Sequence, residues 1–207
     1  MKVAYLSQSF GGAHPMTQTQ IDFIDHWEVE NYRRSVSTAT SNGRAENKTI
    51  VITGAAQGFG EGIARCLVKE GANIVVADLN EETGRKTAAE LNTLCAGNQV
   101  VFAKTDVTNI SSLESLVQDA VCSFGAIDCY ISNAGVLRAG SIEEMTPETF
   151  DFVTRINYYG YFYGVKVVSR ILKLQTRFAP KDYYADIIQI NSKSGLRGSK
   201  ANFAYAG

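Results

Sequence analysis

A glycine-rich turn constrains the fold of this chain more than any other feature. Residues 49–52 form an apolar run, residues 53–60 carry glycines at positions 54, 58 and 60, and residues 61–70 place apolar side chains on one helical face. The order strand, glycine turn, helix lets a backbone approach the pyrophosphate of a dinucleotide at a helix N-terminus. The turn residues predicted to bind it are Gly54, Gln57, Gly58, Phe59 and Gly60.

A second predicted strand, residues 73–77, ends in an acidic residue, Asp78. A carboxylate at this position can accept hydrogen bonds from the ribose hydroxyls of an adenosine. The same charge repels a 2′-phosphate, which favours NAD over NADP. Arg65 and Arg85 leave NADP open as the alternative, because the sequence alone does not place their side chains.

Strand and helix patterns alternate from Lys48 to the end of the chain. This alternation predicts a doubly wound, parallel α/β sheet of Rossmann type, with helices on both faces in three layers. The fifth predicted strand is apolar enough to be central. Asn80 and Thr146 are expected to cap helices, and Ser111 or Ser112 to start another. The predicted strands are residues 49–52, 73–77, 100–102, 127–131 and 186–190.

Residues 1–47 lack this alternation and are predicted to be an N-terminal extension or linker. Residues 1–6 fit a short strand, residues 21–32 fit a short amphipathic helix, and a Ser/Thr/Asn-rich stretch follows. Two interpretations stay open: an arm that packs on its own domain, or the end of an upstream domain. Residues 48–207 are predicted to be one NAD(P)-binding Rossmann domain.

Composition argues against several functional classes. A formal charge of −1 over 207 residues gives no basic footprint for nucleic acid. No apolar run approaches the ~20 residues that cross a bilayer, and residues 1–25 show no signal-peptide pattern. His14 and His26 both precede the glycine turn, so neither a metal site nor a Ser-His-Asp triad is expected. The four cysteines are widely spaced, and buried free thiols in a cytoplasmic protein are expected.

Polar and small residues follow each predicted strand. The carboxyl ends of parallel strands meet at one edge of a sheet, where ligands bind. The turn at residues 54–60, Asp78, Asp106, residues 133–135 and the stretch from Asn191 onward all fall there. Their convergence predicts a dinucleotide site at this edge.

Two motifs carry a resemblance to a known family. The pattern Gly-x-x-x-Gly-x-Gly at residues 54–60 and Asn-Ala-Gly at residues 133–135 resemble the short-chain dehydrogenase/reductase family, over residues 48–207. The resemblance implies that Asp106 and Val107 contact the adenine of NAD. It also implies that three residues lie beside the cofactor, namely Asn133, Ala134 and Gly135.

The resemblance further implies a catalytic set of Asn157, Ser192 and Tyr205, the last two separated by 13 positions. In that set the Tyr205 phenolate takes the hydroxyl proton of an alcohol while hydride leaves its carbon. Ser192 stabilises the substrate oxygen and Asn157 holds a water of the proton relay.

The family also has a lysine four residues after its tyrosine, whereas Gly207 is the last residue here. We therefore expect a C-terminally truncated chain that lacks the last strands of the sheet and part of the active site. A non-catalytic NAD-binding fragment is one alternative to an enzyme.

Basic residues surround the predicted catalytic serine, namely Lys193, Arg197 and Lys200. They form either a solvated basic loop or a site for an anionic, hydroxyl-rich substrate such as a sugar phosphate. Residues 187–205 are similar to those of the family's sorbitol-6-phosphate 2-dehydrogenases. This implies NAD-dependent interconversion of sorbitol 6-phosphate and fructose 6-phosphate by a homo-oligomer. The dehydrogenase part of a fused sugar-phosphate aldolase–dehydrogenase is a further alternative.

Overall fold

The computed structural model describes residues 43–206 and contains a parallel sheet flanked by helices. The sheet order is β3-β2-β1-β4-β5, and each neighbouring pair is parallel. The predicted α/β fold is therefore confirmed. The strand and helix predicted before residue 43 lie outside the described residues. The strands are β1 (Thr49–Thr53), β2 (Asn73–Asp78), β3 (Val100–Lys104), β4 (Cys129–Ser132) and β5 (Asp186–Gln189).

Helices connect the strands, and side chains cap several of them. The described helices are α1 (Gly58–Lys69), α2 (Glu81–Asn92), α3 (Ile110–Phe124), α4 (Pro147–Thr154), α5 (Gly160–Phe178), α6 (Ser194–Arg197) and α7 (Phe203–Ala206). Asn80 Oδ1 accepts from Thr83 N at 3.1 Å and Thr146 caps α4, both as predicted. The prediction that Ser111 or Ser112 starts α3 was wrong, because Asn109 caps this helix. Among the described helices, none is long and apolar enough to cross a bilayer.

Two hydrophobic cores lie on opposite faces of the sheet. On one face, Val51 and Val75 pack with the apolar sides of α3 and α5. On the other face, Ile52 and Ile74 pack with α1 and α2. Successive residues of a strand point to opposite faces, so β1, which is buried throughout, serves both cores. The predicted three-layer arrangement is confirmed.

β5 lies at one edge of the described sheet, although its sequence is apolar enough for a central position. Within the described residues β5 pairs only with β4, at one edge of the sheet. Three of its four residues are exposed, including Ile188. An apolar run indicates a strand with apolar neighbours, but it does not determine how many strands lie beside it.

The prediction of buried thiols was also wrong. All four cysteines are free, but Cys66 and Cys122 are exposed, whereas Cys95 and Cys129 are partly buried. Cys66 lies on the side of α1 that faces solvent, because Ala64 and Val68 occupy the face that packs on the sheet. Apolar neighbours in the sequence therefore did not imply burial here.

A π-helical segment, Arg155–Tyr159, separates α4 from α5. The sequence predicts one long helix from Pro147 onward, because apolar residues keep the helical period across this segment. π-Helical turns inside helices are frequent at functional sites. Asn157, one of the predicted catalytic residues, lies in the middle of the segment.

Candidate functional site

The strand order reverses between β1 and β4. The chain runs outward from β1 to β2 and β3, then returns to place β4 on the other side of β1. Such a switch point opens a crevice at the carboxyl ends of the two strands, and ligands of open α/β sheets bind there. The glycine turn after β1 and the loop after β4 border this crevice.

The glycine turn leaves the N-terminus of α1 open. Gly58 has φ +64°, which favours glycine, and apart from its chain neighbours and the backbone of its own helix no described atom lies within 4 Å of where its Cβ would be. Gln57 makes no side-chain capping hydrogen bond to the described residues. The first amide groups of a helix lack partners within it, so they can bind an anion. Phe59 is 85% exposed beside them.

Close contacts lock this turn to the loop after β4. The Asn133 side-chain amide donates to the carbonyl oxygens of Thr53 (3.0 Å) and Gly54 (3.1 Å). The Thr53 hydroxyl accepts from the backbone amides of Asn133 (3.0 Å) and Ala134 (3.1 Å). A side chain at Gly60 would lie 2.6 Å from the Asn133 amide nitrogen. The structure therefore brings the two predicted motifs together, through a threonine that the sequence analysis did not identify.

Asp78 lies at the end of β2 against the same turn. One carboxylate oxygen accepts from Ala56 N at 3.0 Å, and the other accepts from Asn80 N at 3.0 Å. An ionised carboxylate has about four acceptor sites, so acceptors remain for ribose hydroxyls. Asp78, the residue predicted to bind the ribose, thus lies against the glycine turn that is predicted to bind the pyrophosphate.

Both arginines that left NADP open are engaged by carboxylates. Arg65 donates to Glu61 at 2.7 Å. Arg85 donates to Glu81 at 2.8 and 3.0 Å, and its guanidinium lies 5.4 Å from the centre of the Phe102 ring. The hydrogen bond from Arg85, with a smaller contribution from Lys104, lowers the pKa of Glu81. Neither arginine is placed as a free partner for a 2′-phosphate, which favours NAD.

The predicted adenine-contacting pair follows β3. Asp106 accepts from the amide (2.9 Å) and hydroxyl (2.8 Å) of Thr108, which closes a tight turn. Val107 packs against Gly160, where a Cβ would lie 2.9 Å from the valine methyl group. Asp106 and Val107 thus follow the third strand at the same sheet edge as Asp78. Through Val107, this edge contacts the start of α5.

Asn157 is joined to the loop after β4 by two reciprocal hydrogen bonds. Its side-chain oxygen accepts from Val136 N at 2.8 Å, and its amide donates to Val136 O at 2.9 Å. A Cβ at Gly135 would lie 3.5 Å from the same side-chain oxygen. The carboxamide therefore fixes the loop beside the predicted cofactor site, a contact that the sequence did not indicate.

Ser192 and Tyr205 lie on the segment that follows β5. Ile190 N donates to Ser132 O at 2.9 Å, which keeps this segment beside β4 beyond the last paired residue. The Ser192 hydroxyl accepts from Ser194 N at 3.2 Å. Tyr205 lies in α7, and Gly140 of the loop after β4 accepts from Phe203 N at 3.3 Å. Both predicted catalytic residues are thus carried to the side of the sheet that bears the glycine turn.

The basic side chains near Ser192 are exposed, namely Lys193, Arg197 and Lys200. None of them forms an ion pair with another residue in the range 43–206. No acidic residue occurs between positions 187 and 207, so the segment keeps its positive charge. Within the same range no group of three or more His, Cys, Asp or Glu side chains could hold a metal ion. That the protein uses no metal stays a prediction.

Comparison with known proteins identifies the family. The sequence profile of the short chain dehydrogenases matches residues 48–207. The chain belongs to the short-chain dehydrogenase family. The matched region includes every predicted site element: the glycine turn, Asp78, the Asn-Ala-Gly loop, Ser192 and Tyr205.

Individual short-chain dehydrogenases are similar over most of this chain. The trans-4-hydroxycyclohexanecarboxylate dehydrogenase of Sinomonas cyclohexanicum is 35% identical over 167 residues, 79% of this chain and 61% of the relative. The sorbitol dehydrogenase of Cereibacter sphaeroides is 33% identical over 75% of this chain and 56% of the relative. The 3-ketoacyl-(acyl-carrier-protein) reductase of Brucella melitensis, solved in complex with NADH, has a TM-score of 0.71 and 26% identity, covering 78% of this chain and 64% of that one. The chain thus spans about 60% of the length of these proteins.

Proposed function

We propose that this short-chain dehydrogenase is an NAD-dependent oxidoreductase that interconverts a sugar-alcohol phosphate and a keto-sugar phosphate. Sorbitol 6-phosphate and fructose 6-phosphate are the leading pair. The observation that supports it best is the convergence at one sheet edge: hydrogen bonds join the glycine turn to Asp78 and to the loop of Asn133, and Gly140 of that loop bonds the segment of Tyr205.

The residues at the switch point fit NAD. Open space above Gly58 and the uncapped start of α1 suit a pyrophosphate. Asp78 has acceptors left for ribose hydroxyls, and its charge disfavours a 2′-phosphate. The Brucella reductase of similar fold binds NADH. When bound there, NAD supplies the hydride acceptor.

The chain's own residues would then handle the alcohol. The Tyr205 phenolate oxygen takes the hydroxyl proton as the carbon loses hydride, so the alcohol becomes a carbonyl. Ser192 donates a hydrogen bond to the same substrate oxygen and stabilises its developing charge. Asn157 holds a water that passes the proton onward, on a segment fixed to Val136.

The substrate class is inferred from charge. Lys193, Arg197 and Lys200 are exposed around Ser192, with no acidic residue in the segment, which suits a phosphate group. The similarity to the Cereibacter sorbitol dehydrogenase favours a second candidate, a free polyol. The two candidates differ in whether the basic side chains contribute to binding.

A panel of polyols and polyol phosphates separates the candidates. NADH formation is followed with the full-length protein, its Lys193→Glu and Lys200→Glu variants, and Lys181→Glu as a control from the exposed loop before β5. Loss of a charge-assisted contact is expected to lower kcat/KM for sorbitol 6-phosphate about tenfold to 100-fold, with little change for sorbitol. Equal losses on both substrates, or the same effect from Lys181→Glu, would remove the phosphate site.

We further infer a homo-oligomer in the cytoplasm. An aromatic face is exposed on the π-helical segment and the start of α5, formed by Tyr158, Tyr159 and Phe162. Such a face suits an interface between copies of the chain. The four free cysteines fit a reducing compartment.

A further inference from the structure

The segment that carries Tyr205 folds back onto the loop after β4. Gly140 N donates to Ala201 O at 2.7 Å, and Phe203 N donates to Gly140 O at 3.3 Å. Gly140 and Asn202 thereby form an isolated parallel bridge. The bridge lies three residues before Tyr205, so it fixes the backbone directly ahead of the predicted catalytic side chain.

The backbone at this bridge is strained. Ala201 has φ +54°, a left-handed conformation that is unfavourable for a non-glycine residue. Such a conformation persists only where the surroundings over-determine it. Here the Ala201 carbonyl and the Phe203 amide are both bonded to Gly140. The structure thus favours the bridge over a relaxed local backbone.

A ring contact reinforces the bridge. The Phe203 ring lies 6.1 Å from the Phe150 ring of α4, centre to centre, with the planes tilted by 37°. Offset and tilted aromatic pairs stabilise a contact beyond the area that they bury. Phe150 and Phe152 lie on the same helix and are equally exposed, at 42% and 41%, but Phe152 contacts Arg138 instead.

The loop that receives the segment is itself held in place. The amide and hydroxyl of Ser141 donate to Glu144 at 3.2 and 3.0 Å, and Met145 N donates to Ser141 O at 2.9 Å. These bonds form a compact turn directly after Gly140. Gly140 is therefore a fixed partner for the bridge and not the tip of a free loop.

We propose that Gly140, Phe150 and Phe203 are positioning residues for Tyr205. Together they form a clasp that holds α7 against α4 and the loop after β4. The clasp places the phenol, two residues after Phe203, over the crevice that carries the predicted cofactor site. This proposal rests on the proposed oxidoreductase function, and it adds residues that do not contact the substrate.

A misplaced phenol should slow the reaction without weakening binding. Displacement of a catalytic group by about 1 Å can cost about 100-fold in rate. For Phe150→Leu and Phe203→Leu in the full-length protein, we expect kcat to fall between about tenfold and about 100-fold. The KM for the alcohol and the Kd for NADH are expected to change less than about twofold, because interactions made only in the transition state are lost.

The decisive experiment combines kinetics with amide hydrogen exchange of residues 201–206. Phe152→Leu is the matched control from the same helix. Phe150→Tyr keeps the ring, so its kcat is expected to stay close to that of the wild type. Faster exchange together with lower kcat in Phe150→Leu and Phe203→Leu, but not in Phe152→Leu, supports the clasp.

Two other results overturn the clasp. Unchanged exchange in both leucine variants means that the ring contact does not hold α7. Faster exchange with unchanged kcat means that the contact exists but does not position Tyr205. A wild-type protein that binds NADH but oxidises no alcohol refutes the proposed function itself, and with it any catalytic role for the clasp, while its exchange data still report the contact.

Discussion

Asp78 combines two tasks in one carboxylate. It holds the glycine turn through Ala56 N and the start of α2 through Asn80 N, both at 3.0 Å. The acceptor sites that these two bonds leave unused are the ones proposed to bind the ribose. The negative charge, and not the hydrogen bonds to the backbone, is what disfavours a 2′-phosphate.

Replacing Asp78 by asparagine tests that division. Asp78→Asn keeps one carbonyl acceptor but removes the charge, so NADH should bind about tenfold more weakly while NADPH binds more tightly. Fluorescence titration of both cofactors measures the ratio. Glu82→Gln, an exposed carboxylate in the first turn of α2, is the control with the same change of charge. Parallel shifts in both variants would assign the effect to overall charge.

Residues at strand ends could be predicted from the sequence, but their partners could not. Asp78 and Asn133 follow apolar runs, and parallel strands bring such positions to one edge. Thr87 gave no signal, although its buried hydroxyl donates to Ala56 O at 2.7 Å across 31 residues. Contacts of this kind depend on how α2 lies against the turn, which local pattern does not encode.

Two helical glycines show how packing overrides helix propensity. Gly84 in α2 is buried, and a Cβ there would overlap the Phe102 ring, whose face also meets the Arg85 guanidinium. Gly62 in α1 is exposed, and apart from its chain neighbours and the backbone of its own helix no described atom lies within 4 Å of its Cβ position. The sequence alone makes both glycines weak points of a helix.

Alanine at these two positions should therefore act in opposite directions. Gly62→Ala is expected to raise the free energy of unfolding by about 0.5–1 kcal/mol through helix propensity. Gly84→Ala is expected to lower it by about 1–3 kcal/mol, because overpacking outweighs the same gain. Urea unfolding of both variants measures the difference. A stabilised Gly84→Ala would show that the Phe102 ring can move aside.

At the scale of elements, propensity and capping predicted strands and helix starts better than interruptions. Thr146 before Pro147 marks the start of α4 in the sequence and in the structure. The π-helical segment Arg155–Tyr159 had no local signal, because the apolar period continues across it. The bonds between Asn157 and Val136 are long-range contacts that accompany this irregular turn.

The molecule as a whole is organised around β4. This strand lies between β1 and β5, and its residues Tyr130, Ile131 and Ser132 are buried while Cys129 is partly buried. Alternation predicted the doubly wound sheet, since a run of parallel crossovers allows few topologies.

Two adjacent side chains of β4, those of Cys129 and Tyr130, make the stability of the fold depend on pH. Burial, with smaller contributions from Asp186 and Asp128, raises the pKa of Cys129 to about 12. Burial also raises the pKa of Tyr130, against a smaller opposite effect of the Thr53 and Ser132 hydroxyls. The folded state keeps these protons, whereas the unfolded chain releases them above pH ~8.5 for a thiol and ~10 for a phenol. Stability should thus be intact below those values and fall as pH rises beyond them.

Tyr130→Phe tests this linkage. The buried Tyr130 hydroxyl has no hydrogen-bond partner among the described residues, since Thr53 and Ser132 are near it but do not meet hydrogen-bond geometry. Its removal should leave the free energy of unfolding at pH 7 unchanged or raise it by about 1 kcal/mol. Above pH ~10 the variant should lose less stability than the wild type, by up to about 1.4 kcal/mol per pH unit.

Urea unfolding at pH 7 and in steps from pH ~9 to ~11 measures both effects. Tyr184→Phe is the control, because the Tyr184 side chain is 73% exposed. A loss of more than about 1 kcal/mol at pH 7 would mean that the hydroxyl has a partner. Parallel alkaline curves for Tyr130→Phe and the wild type would mean that the phenol ionises equally in the folded and unfolded states, because only a difference in bound protons makes stability depend on pH. Any loss of stability at high pH that originates in β4 would then come from Cys129 alone. In that case Cys129→Ala by itself would reduce the fall in the free energy of unfolding above pH ~9.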